Sequence, residues 1–337
     1  MKKKIGIFIL NYNGIYWLKK NLNNIVQNSQ EAQIIVIDNN SQDNSIQYIN
    51  EYFSSIEIIK NKNNYGFAKG YNQVLLYEKR FDYFLLINND VQVTKNWIPP
   101  LLNSIQKNNI GIVQPKIKQP KSQSFDYSGA AGGFIDIFGI PFCRGRILNK
   151  LETDTGQYND NRNIFWASGC CFIIKKKLFQ KLNGFDEDLF MHQEEIDLCW
   201  RSQKTNQKVH YCAQSIIYHF GGGTLSYNSP KKHYYNHRNS LLIMLKNMPL
   251  PMVFVTIPCK IIADYVIIIW YILHALSLNK KFKIAFFIIK AHMSFMYLSL
   301  KFIKKRQAIP YKLMYTNSIV LDYFLRNKKK FSDLNNF

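Results

Sequence analysis

The chain has 337 residues, enough to bury a large core, and its 47% hydrophobic and 15% aromatic content is typical of an ordered globular protein. The formal net charge is +22, and most of the excess lies after residue 225, where 18 Lys and Arg accompany 3 acidic residues. A basic segment of this kind can serve nucleic acid, anionic lipid or an acidic substrate. The six cysteines form no CxxC pair and no metal-ligand spacing, which predicts reduced, mostly buried thiols in a cytosolic protein.

The first segment, MKKKIGIFILNYNG, begins like a signal peptide, but its apolar run at residues 5–10 is short and gives way to Asn-Tyr-Asn. We therefore interpret this run as a first strand. Further strands are predicted at residues 33–37, 56–60, 83–87 and 111–118, with helical segments between them. Strands and helices that alternate at this spacing indicate right-handed crossovers and an α/β fold with a mostly parallel sheet.

Polar residues follow the first strands and form a row at one edge of the predicted sheet. They are Asn11, Asn13, Asp38, Asn40, Asn88, Asn89 and Asp90. Ligands bind at the carboxyl edge of open α/β sheets, although Asn and Asp are also ordinary turn residues. The phosphate-binding motifs GxGxxG and GxxxxGK[ST] are absent, so we expect a metal ion at Asp90 to bind phosphate and Asp38 to bind a base or ribose.

Three motifs near this edge carry a family resemblance. The segments VIDNNSQDNS (36–45), NNYGFAKGYNQ (63–73) and LLINNDV (85–91) resemble, in order and spacing, the opening motifs of family 2 glycosyltransferases. The similarity is closest to the rhamnosyltransferase-like branch of that family. It implies the GT-A fold, in which a Rossmann-like, mostly parallel mixed sheet has helices on both faces.

The resemblance also implies roles for single residues. Asp38 would contact the nucleotide base, and Asp90 would be the metal-binding Asp of the DxD motif. Asn88 occupies the first position of that motif, which leaves Asp90 as its only carboxylate. The residues expected at the nucleotide-sugar site are Asn11, Asn13, Asp38, Asn40, Gly66, Lys69, Asn72, Asn88, Asn89 and Arg238.

A second group of functional candidates lies in GFDEDLFMHQEEIDLCWR (184–201). Its acids cluster around the start of a predicted helix, where the helix dipole favours negative charge, and we expect an Asp197–Arg201 pair to stabilise that helix. Transfer of a sugar from a nucleoside diphosphate to a hydroxyl with inversion needs a general base and a cation for the departing diphosphate. We assign Glu194 and Glu195 to the catalytic chemistry.

The resemblance separates these two glutamates. The corresponding family passage reads GFDE-x-x-F-x-x-x-EDxDLCxR, and the second acid of its ED pair is the expected base, which is Glu195 here. Glu stands where Asp is usual in the family, and the extra methylene changes the reach of the carboxylate by about one carbon–carbon bond. Glu194 therefore stays open as the alternative base.

The metal site is expected to be completed by a distant histidine. A predicted strand at residues 216–219 ends in His219, and a single His after a strand is more often structural than a ligand. HFGGGT, however, resembles the HxxGxS/T element in which the family's metal-binding His lies, so the resemblance pairs His219 with Asp90. Imidazole suits Mn²⁺ better than Mg²⁺, and either ion remains open. Farther on, Arg238 is expected to clamp the diphosphate or to be a solvated helix residue.

The C-terminal third contains two apolar stretches, at residues 252–278 and 284–303, which are interrupted by Lys260, Asp264 and Lys290. The longest uncharged run is shorter than the ~20 residues of a spanning helix. Apolar helices with basic flanks predict interfacial helices on an anionic membrane surface. A helical core and one tilted span are the alternatives. Nucleic acid is disfavoured as a partner because the basic residues alternate with aliphatic runs and match no reader motif.

These inferences predict a GT-A catalytic domain at residues 1–247, with a nucleotide-sugar half (1–118) and an acceptor half (119–247), and a helical membrane-associated region at 248–337. The predicted enzyme is an inverting, Mn²⁺- or Mg²⁺-dependent glycosyltransferase, peripheral on the cytoplasmic side of the membrane. Its donor would be a dTDP- or UDP-linked sugar, with rhamnose indicated by the resemblance. Its acceptor would be a glycan or polyprenyl-linked hydroxyl in cell-surface polysaccharide synthesis. A nucleotidyltransferase and a non-catalytic nucleic-acid- or membrane-binding protein are the alternatives.

Overall fold

The computed structural model describes residues 4–221, 229–273, 279–309 and 313–334. Its strands are β1 (Ile5–Asn11), β2 (Gln33–Asp38), β3 (Glu57–Lys60), β4 (Tyr83–Asn88), β5 (Val91–Val93), β6 (Ile110–Lys118), β7 (Gly133–Ile135), β8 (Pro141–Cys143), β9 (Arg146–Ile147), β10 (Lys150–Leu151), β11 (Arg162–Ile164), β12 (Cys171–Lys175) and β13 (Lys208–His219). Its helices are α1 (Ile15–Gln27), α2 (Ser45–Tyr52), α3 (Gly66–Leu75), α4 (Ile98–Ile105), α5 (Lys176–Lys181), α6 (Glu194–Gln203), α7 (Pro230–Asn247), α8 (Leu250–Leu273), α9 (Asn279–Lys304) and α10 (Ile319–Phe324).

The central sheet has the order β11-β13-β6-β12-β4-β1-β2-β3, with β5 paired to β13. Strands β1 to β4 run parallel to their neighbours in this group, as the alternation of strands and helices predicts. Their register places Asn11 opposite Asp38 and Leu10 opposite Asn88. The polar residues that end these strands therefore meet at one edge of the sheet.

Both faces of the sheet are covered, which explains why the central strands are apolar throughout. Side chains alternate between the faces, so Ile7 and Ile9 join one hydrophobic cluster and Phe8 joins the other. Leu22 of α1 packs in the first cluster and Tyr71 of α3 in the second. All five side chains are at most 1% exposed, and this burial positions the polar edge.

The second half of the sheet is mixed. Strand β12 runs antiparallel between β4 and β6, whereas β13 is parallel to β6 and antiparallel to β5 and β11. Residues 119–163, which carry no clear period, contain a separate small sheet with the order β10-β9-β8-β7. Its strands are two or three residues long, too short for alternation to be visible in the sequence.

The C-terminal helices α8 and α9 have 24 and 26 residues, longer than the uncharged runs in the sequence. By length and composition both could cross a membrane, with mean hydropathy of 2.1 for Leu250–Leu273 and 1.3 for Lys281–Lys304. The core helix of a soluble protein can meet the same criteria. Both helices pack beside α7, which in turn contacts α6. Residues 274–278 of the first apolar stretch lie outside the described ranges.

The charged residues that interrupt the first apolar stretch face the protein interior. The Asp264 carboxylate is 2% exposed and lies 2.9 Å from Nδ1 of His237 in α7 and 3.0 Å from Nε2 of His292 in α9. Lys260 lies 3.6 Å from the same carboxylate. A polar contact thus joins α7, α8 and α9 on the inner side, while the outer side of α8 and α9 exposes apolar residues.

Candidate active site

Asp38 closes the end of β2 by accepting hydrogen bonds from neighbouring protein groups. Its carboxylate accepts from the Asn11 amide at 3.1 Å, and from the hydroxyl and backbone N–H of Ser41 at 2.6 and 2.9 Å. The side chain is buried directly beside the end of β1. Both carboxylate oxygens thus have protein donors, and the contact of Asp38 with a nucleotide base stays a prediction.

The ends of β1 and β4 are joined by a pair of side-chain amides. Nδ2 of Asn89 donates to Oδ1 of Asn11 at 3.0 Å. Gly14 leaves room for this pair, since a Cβ atom there would lie 2.3 Å from both amides. Asn13 and Asn40 are exposed, with φ of 48° and 65°, a left-handed conformation that Asn tolerates. The side-chain amides of Asn13 and Asn40 are therefore exposed to solvent at this edge.

The second motif holds the segment that leads to the glutamates. Gly66 has φ of 71°, and a Cβ atom there would lie 2.8 Å from the ring and the carbonyl of Phe190. The buried Asn72 amide donates to the Phe185 carbonyl at 2.9 Å and accepts from its N–H at 3.0 Å. Lys69 is half-buried, with its ammonium 4.7 Å from the Tyr65 ring centroid. Gly66 and Asn72 therefore position residues 185–190, which the sequence motif alone does not indicate.

The predicted metal pair is brought together by strand pairing. Short strand β5 runs antiparallel to the end of β13, with Val91 opposite His219, and the Phe220 N–H donates to the Asp90 carbonyl at 3.0 Å. Nε2 of His219 lies 3.3 Å from Oδ1 of Asp90. Nδ1 of His219 lies 3.0 Å from Oδ1 of Asp126, and all three side chains are buried. Asp126 lies within residues 119–163, where no sequence pattern indicated this contact.

The donor atoms of this cluster fit a divalent cation. Burial lowers the pKa of His219, but the nearby Cys170 and the carboxylates of Asp126 and Asp90 outweigh it and raise that pKa well above its ordinary value. Burial raises the pKa of the Cys170 thiol to about 12, so this thiol is neutral at neutral pH. Asp126 can accept the Nδ1–H of the imidazole, and a cation at Nε2 would take the place of the second proton that the raised pKa of His219 otherwise keeps there. The described ranges contain no cluster of three or more His, Cys, Asp or Glu side chains spaced as a metal site, so the fit rests on two protein ligands.

Glu195 lies close to the same edge of the sheet. A Cβ atom on Gly169 would lie 3.7 Å from the Glu195 carboxyl carbon, within ordinary van der Waals distance. The next residue, Cys170, accepts a hydrogen bond through its carbonyl from the Asn88 N–H at 2.9 Å. Asn88 is half-buried at the end of β4, two residues before Asp90. The segment with Gly169 and Cys170 therefore lies between the predicted base, Glu195, and the strand end that leads to Asp90.

The two glutamates differ in environment. Glu194 is buried, and burial together with the charge of Glu195 raises its pKa well above the ordinary value. Glu195 is half-buried, and burial raises its pKa to about 7. Phe190, His192 and Gln193 immediately before them have φ of 63°, 66° and 70°, a conformation that costs about 1 kcal/mol or more at each such residue. Strain of this kind is common where a backbone must aim a functional side chain.

A family comparison decides the class of protein. The sequence profile described as "Glycosyl transferase family 2" matches residues 6–183, which is more than half of the chain. The chain belongs to glycosyl transferase family 2. The predicted enzyme class, glycosyltransferase, is thereby confirmed.

Characterised relatives of this family 2 chain agree in class at low identity. Low-salt glycan biosynthesis hexosyltransferase Agl10 of Haloferax volcanii is 25% identical over 215 residues, covering 63% of this chain and 66% of the relative. Rhamnosyltransferase WbbL of Escherichia coli is 23% identical over 223 residues, covering 64% and 83%. N-acetylglucosaminyl-diphospho-decaprenol L-rhamnosyltransferase of Mycobacterium tuberculosis is 22% identical over 230 residues, covering 64% and 74%. The rhamnosyltransferase-like resemblance is confirmed by these relatives.

Solved structures share the fold. GalNAc-T7 with UDP, GalNAc and Mn²⁺ superposes with a TM-score of 0.58 at 14% identity, over 92% of this chain and 59% of that one. Mannosyltransferase PcManGT of Pyrobaculum calidifontis with GDP-Man and Mn²⁺ gives 0.54 at 11% identity, over 88% of each chain. Residues 1–349 of Staphylococcus aureus TarS with UDP-GlcNAc give 0.54 at 13% identity, over 90% and 84%. The GT-A-like α/β fold with a mixed central sheet is confirmed.

Buried charges fix the helix that carries the glutamates of this family 2 enzyme. The expected Asp197–Arg201 pair is confirmed at 2.7 Å. Asp197 also accepts from Lys246 at 3.0 Å and from the Asn247 amide at 2.9 Å. Lys246 bridges to Asp186 at 2.7 Å, which ties the start of the acidic segment to α7. Sequence reasoning missed Lys246 and Asn247, because no local spacing links them to residues about fifty positions earlier.

Arg238 is buried within the protein rather than solvated. Its guanidinium donates to the Leu189 carbonyl at 2.9 Å and to the Asn239 side chain at 2.8 Å, and it lies 5.2 Å from the ring centroids of Tyr234 and Tyr235. These contacts hold the chain just before the glutamates, and a diphosphate contact of Arg238 stays a prediction. Gly222, Gly223 and Thr224 of HFGGGT lie outside the described residues.

Proposed function

We propose that this enzyme transfers a sugar, with inversion, from a nucleoside-diphosphate sugar to a hydroxyl group of a glycan or polyprenyl-linked acceptor. The proposal is supported by the 3.3 Å approach of His219 Nε2 to Asp90 Oδ1, and by the Glu195 carboxyl group beside Gly169, whose neighbour Cys170 is hydrogen-bonded to Asn88. A site of this kind pairs a place for a diphosphate-binding cation with a carboxylate of suitable pKa. Both are needed for displacement at a sugar carbon without a covalent intermediate.

Asp90 and His219 would hold the divalent cation, Mn²⁺ or Mg²⁺, and Asp126 would fix the imidazole orientation. When bound, the cation would stabilise the negative charge of the departing diphosphate. The nitrogen ligand favours Mn²⁺. Mn²⁺ is present in the structures of GalNAc-T7 and PcManGT, which supports the same kind of ion here.

Glu195 would act as the general base. The acceptor oxygen attacks the anomeric carbon from the face opposite the diphosphate, the bond from that carbon to the phosphate oxygen breaks, and Glu195 accepts the hydroxyl proton. A pKa of about 7 gives a substantial ionised fraction at neutral pH while keeping useful basicity. Burial and the charge of Glu195 raise the pKa of Glu194 well above its ordinary value, and Glu194 is the alternative base.

The names of the relatives support the proposed donor and acceptor classes. Two relatives are rhamnosyltransferases by name, and one of these acts on N-acetylglucosaminyl-diphospho-decaprenol. We therefore propose a dTDP- or UDP-linked donor, with rhamnose as the first sugar to test. The acceptor would carry a polyprenyl diphosphate in cell-surface polysaccharide synthesis. The nucleotide-sugar half would be residues 1–118 and the acceptor half residues 119–247.

The helices after residue 247 would lie on the cytoplasmic surface of the membrane. Phe254 and Trp270 on α8 are 71% and 48% exposed, and Tyr297 and Leu300 on α9 are 84% and 72% exposed. Large apolar side chains at this exposure are usually covered by a partner or a lipid surface. The Lys281 ammonium lies 5.5 Å from the Trp270 ring, a combination that suits an anionic headgroup region.

Product analysis with a panel of nucleotide sugars, with and without Mn²⁺, tests this function. We expect transfer to a polyprenyl-diphosphate-linked sugar from one donor of the panel, release of nucleoside diphosphate, and inversion at the anomeric carbon seen by NMR. Release of inorganic diphosphate from a nucleoside triphosphate would identify a nucleotidyltransferase instead. Retention of anomeric configuration would contradict the assignment of Glu195.

A further inference from the structure

Asn239 in α7 is completely buried and faces the backbone just before the two glutamates. Its side-chain Nδ2 donates to the carbonyl oxygens of Leu189, Met191 and His192 at 3.0, 2.9 and 2.7 Å. Nε of Arg238 donates to Oδ1 of Asn239 at 2.8 Å, and this contact fixes which end of the amide faces those carbonyls. One side chain therefore binds three carbonyls within four consecutive residues.

The backbone that Asn239 binds is in a conformation that needs support from other elements. His192 and Gln193 have φ of 66° and 70°. This left-handed region is unfavourable for residues with a side chain, and it persists only where surrounding contacts enforce it. The remaining carbonyl of the stretch, that of Phe190, accepts from two N–H groups at the start of α3 at 3.0 and 3.2 Å. The stretch is therefore held between α3 and α7.

The peptide unit between His192 and Gln193 joins Asn239 to the proposed base. The shortest contact of the Asn239 amide is with the carbonyl of this peptide unit. In a trans peptide the C=O and the N–H point in opposite directions, and the described ranges contain no cis peptide. The N–H of Gln193 is one of the backbone groups that hydrogen-bond to the Glu195 carboxylate. One side of the peptide unit thus contacts Asn239, and the other side contacts the carboxylate.

The backbone N–H groups oppose the effect of burial on Glu195. Burial raises the pKa of Glu195, the N–H groups of Glu195, Gln193 and Ile196 lower it, and the balance is a pKa of about 7. An N–H whose own carbonyl accepts a hydrogen bond is a stronger donor, so the Asn239 contact strengthens this effect. If the peptide turned, the carboxylate would lose one donor while it stayed buried, and its ionised form would become less favourable.

We propose that Asn239 is a positioning residue for the general base, because it holds the peptide unit between His192 and Gln193 so that the Gln193 N–H faces the Glu195 carboxylate. This inference rests on the proposed function. It adds that a residue of α7 controls the charge of the base through the backbone, without being the base itself. The alternative is that Asn239 only packs in the interior, and the experiment must distinguish the two.

The test is the pH dependence of kcat/KM for a short-chain prenyl-diphosphate-linked sugar as the acceptor, at saturating donor and with the full chain. The wild-type profile should have its inflection at about pH 7. In Asn239→Ala the inflection should move upward by about one pH unit, the effect of one lost hydrogen bond to a charged group. The value at pH 6 should therefore fall about 10-fold, whereas at pH 9 it should stay within about 3-fold of wild type. Donor KM should change by less than about 2-fold, because the base acts on the acceptor hydroxyl.

Asn236→Ala is the matched control. Asn236 lies three residues earlier on the same helix and contacts the stretch through its carbonyl, which accepts from the Gln193 amide at 3.2 Å and remains in the variant. Its profile should match that of the wild type.

Two further variants separate hydrogen bonding from packing and from misfolding. Asn239→Asp keeps the shape of the side chain but replaces the amide donors, so it should move the inflection upward at least as far as Asn239→Ala. A packing role would leave Asn239→Asp close to wild type. If circular dichroism shows that Asn239→Ala does not fold, Asn239→Ser carries the test, because its hydroxyl keeps one donor and should give a smaller shift in the same direction.

Three results would overturn this role. An equal loss of transfer at every pH would make Asn239 a packing residue. A downward shift of the inflection, toward the ordinary 4.5 of a glutamate, would show that the base becomes exposed to water instead of losing an N–H donor. A profile equal to that of Asn236→Ala would remove the role altogether. Wild-type protein that transfers no sugar would instead refute the proposed function, and that failure appears before any variant is examined.

Discussion

Replacing Glu195 with Gln should have opposite effects on activity and on stability. Gln keeps the size of the side chain but cannot accept the proton of the acceptor hydroxyl, so we expect transfer to fall by at least ~100-fold. The rate of the wild-type enzyme should rise with pH through about 7 and then level off, because the base acts in its ionised form. The variant should lose this titration along with its activity.

The stability effect follows from the pKa of Glu195. Burial raises that pKa from the ordinary 4.5 to about 7. A carboxyl group whose pKa is higher in the folded state contributes its full stabilisation below pH 4.5 and loses it as the pH rises toward 7. The ionised Glu195 therefore destabilises the folded enzyme at pH 8, and Gln removes that cost. The expected gain in the free energy of unfolding is about 3 kcal/mol at pH 8 and about 1 kcal/mol at pH 5.5.

Urea unfolding at these two pH values measures the gain, with transfer rates determined on the same preparations. Glu194→Gln is the matched comparison. Burial and the Glu195 charge keep the pKa of Glu194 well above its ordinary value of 4.5, so this substitution should also raise the free energy of unfolding more at pH 8 than at pH 5.5, and the transfer rates distinguish the two glutamates. Equal gains at both pH values in Glu195→Gln, or full transfer by that variant, would refute the assignment. Loss of transfer in Glu194→Gln alone would make Glu194 the base.

Three further substitutions test the remaining parts of the proposal. Asp90→Ala should lower transfer by at least ~100-fold with an unchanged circular dichroism spectrum, and chelation should abolish wild-type transfer until Mn²⁺ is restored. Lys305→Met should lower the free energy of unfolding, measured in urea titrations, by ~1 kcal/mol because its ammonium pairs with two carboxylates at 2.6 Å. Lys304→Met, at the exposed last residue of α9, should change it by less than ~0.5 kcal/mol. Tyr297→Asp should weaken binding to anionic vesicles, measured by co-sedimentation, by about 10-fold. Tyr77→Asp, at a similarly exposed residue of the catalytic domain, should leave that binding unchanged. Equal binding by both variants would contradict the interfacial role of α9.

The first half of the fold was predictable because its signals are local. Each of the strands β1, β2 and β4 is an apolar run that stops at Asn or Asp, and right-handed crossovers bring those stops to one edge. The Asp197–Arg201 pair was predictable for the same reason, since one helical turn separates the two residues. The proximity of Asp90 and His219 needed the family resemblance, because 129 positions separate them and only the pairing of β5 with β13 joins them.

The long-range contacts that position the site residues were not predictable from local sequence patterns. Asp126 lies in a stretch without periodicity, and its contact with His219 depends on how residues 119–163 fold back over β6. Arg238 has donors that suit a diphosphate or the carbonyls of a buried segment, and the sequence cannot distinguish the two ligands. Asp264 interrupts an apolar stretch in the sequence, yet in the structure it is buried against His237 and His292. In each case the partner comes from a distant element.

The ion pairs of the acidic segment cross the boundary that the sequence places after residue 247. Lys246 of α7 pairs with Asp186 at 2.7 Å, and Lys305, the residue directly after α9, pairs with the same carboxylate at 2.6 Å. Lys301 adds a contact of 2.6 Å to Asp188. This segment continues directly into the left-handed residues that aim Glu194 and Glu195, so a displacement of α9 would be transmitted to the proposed base. If α9 lies on a membrane as proposed, attachment and catalytic geometry depend on the same few carboxylates, and detergent or lipid should alter kcat even with a water-soluble acceptor.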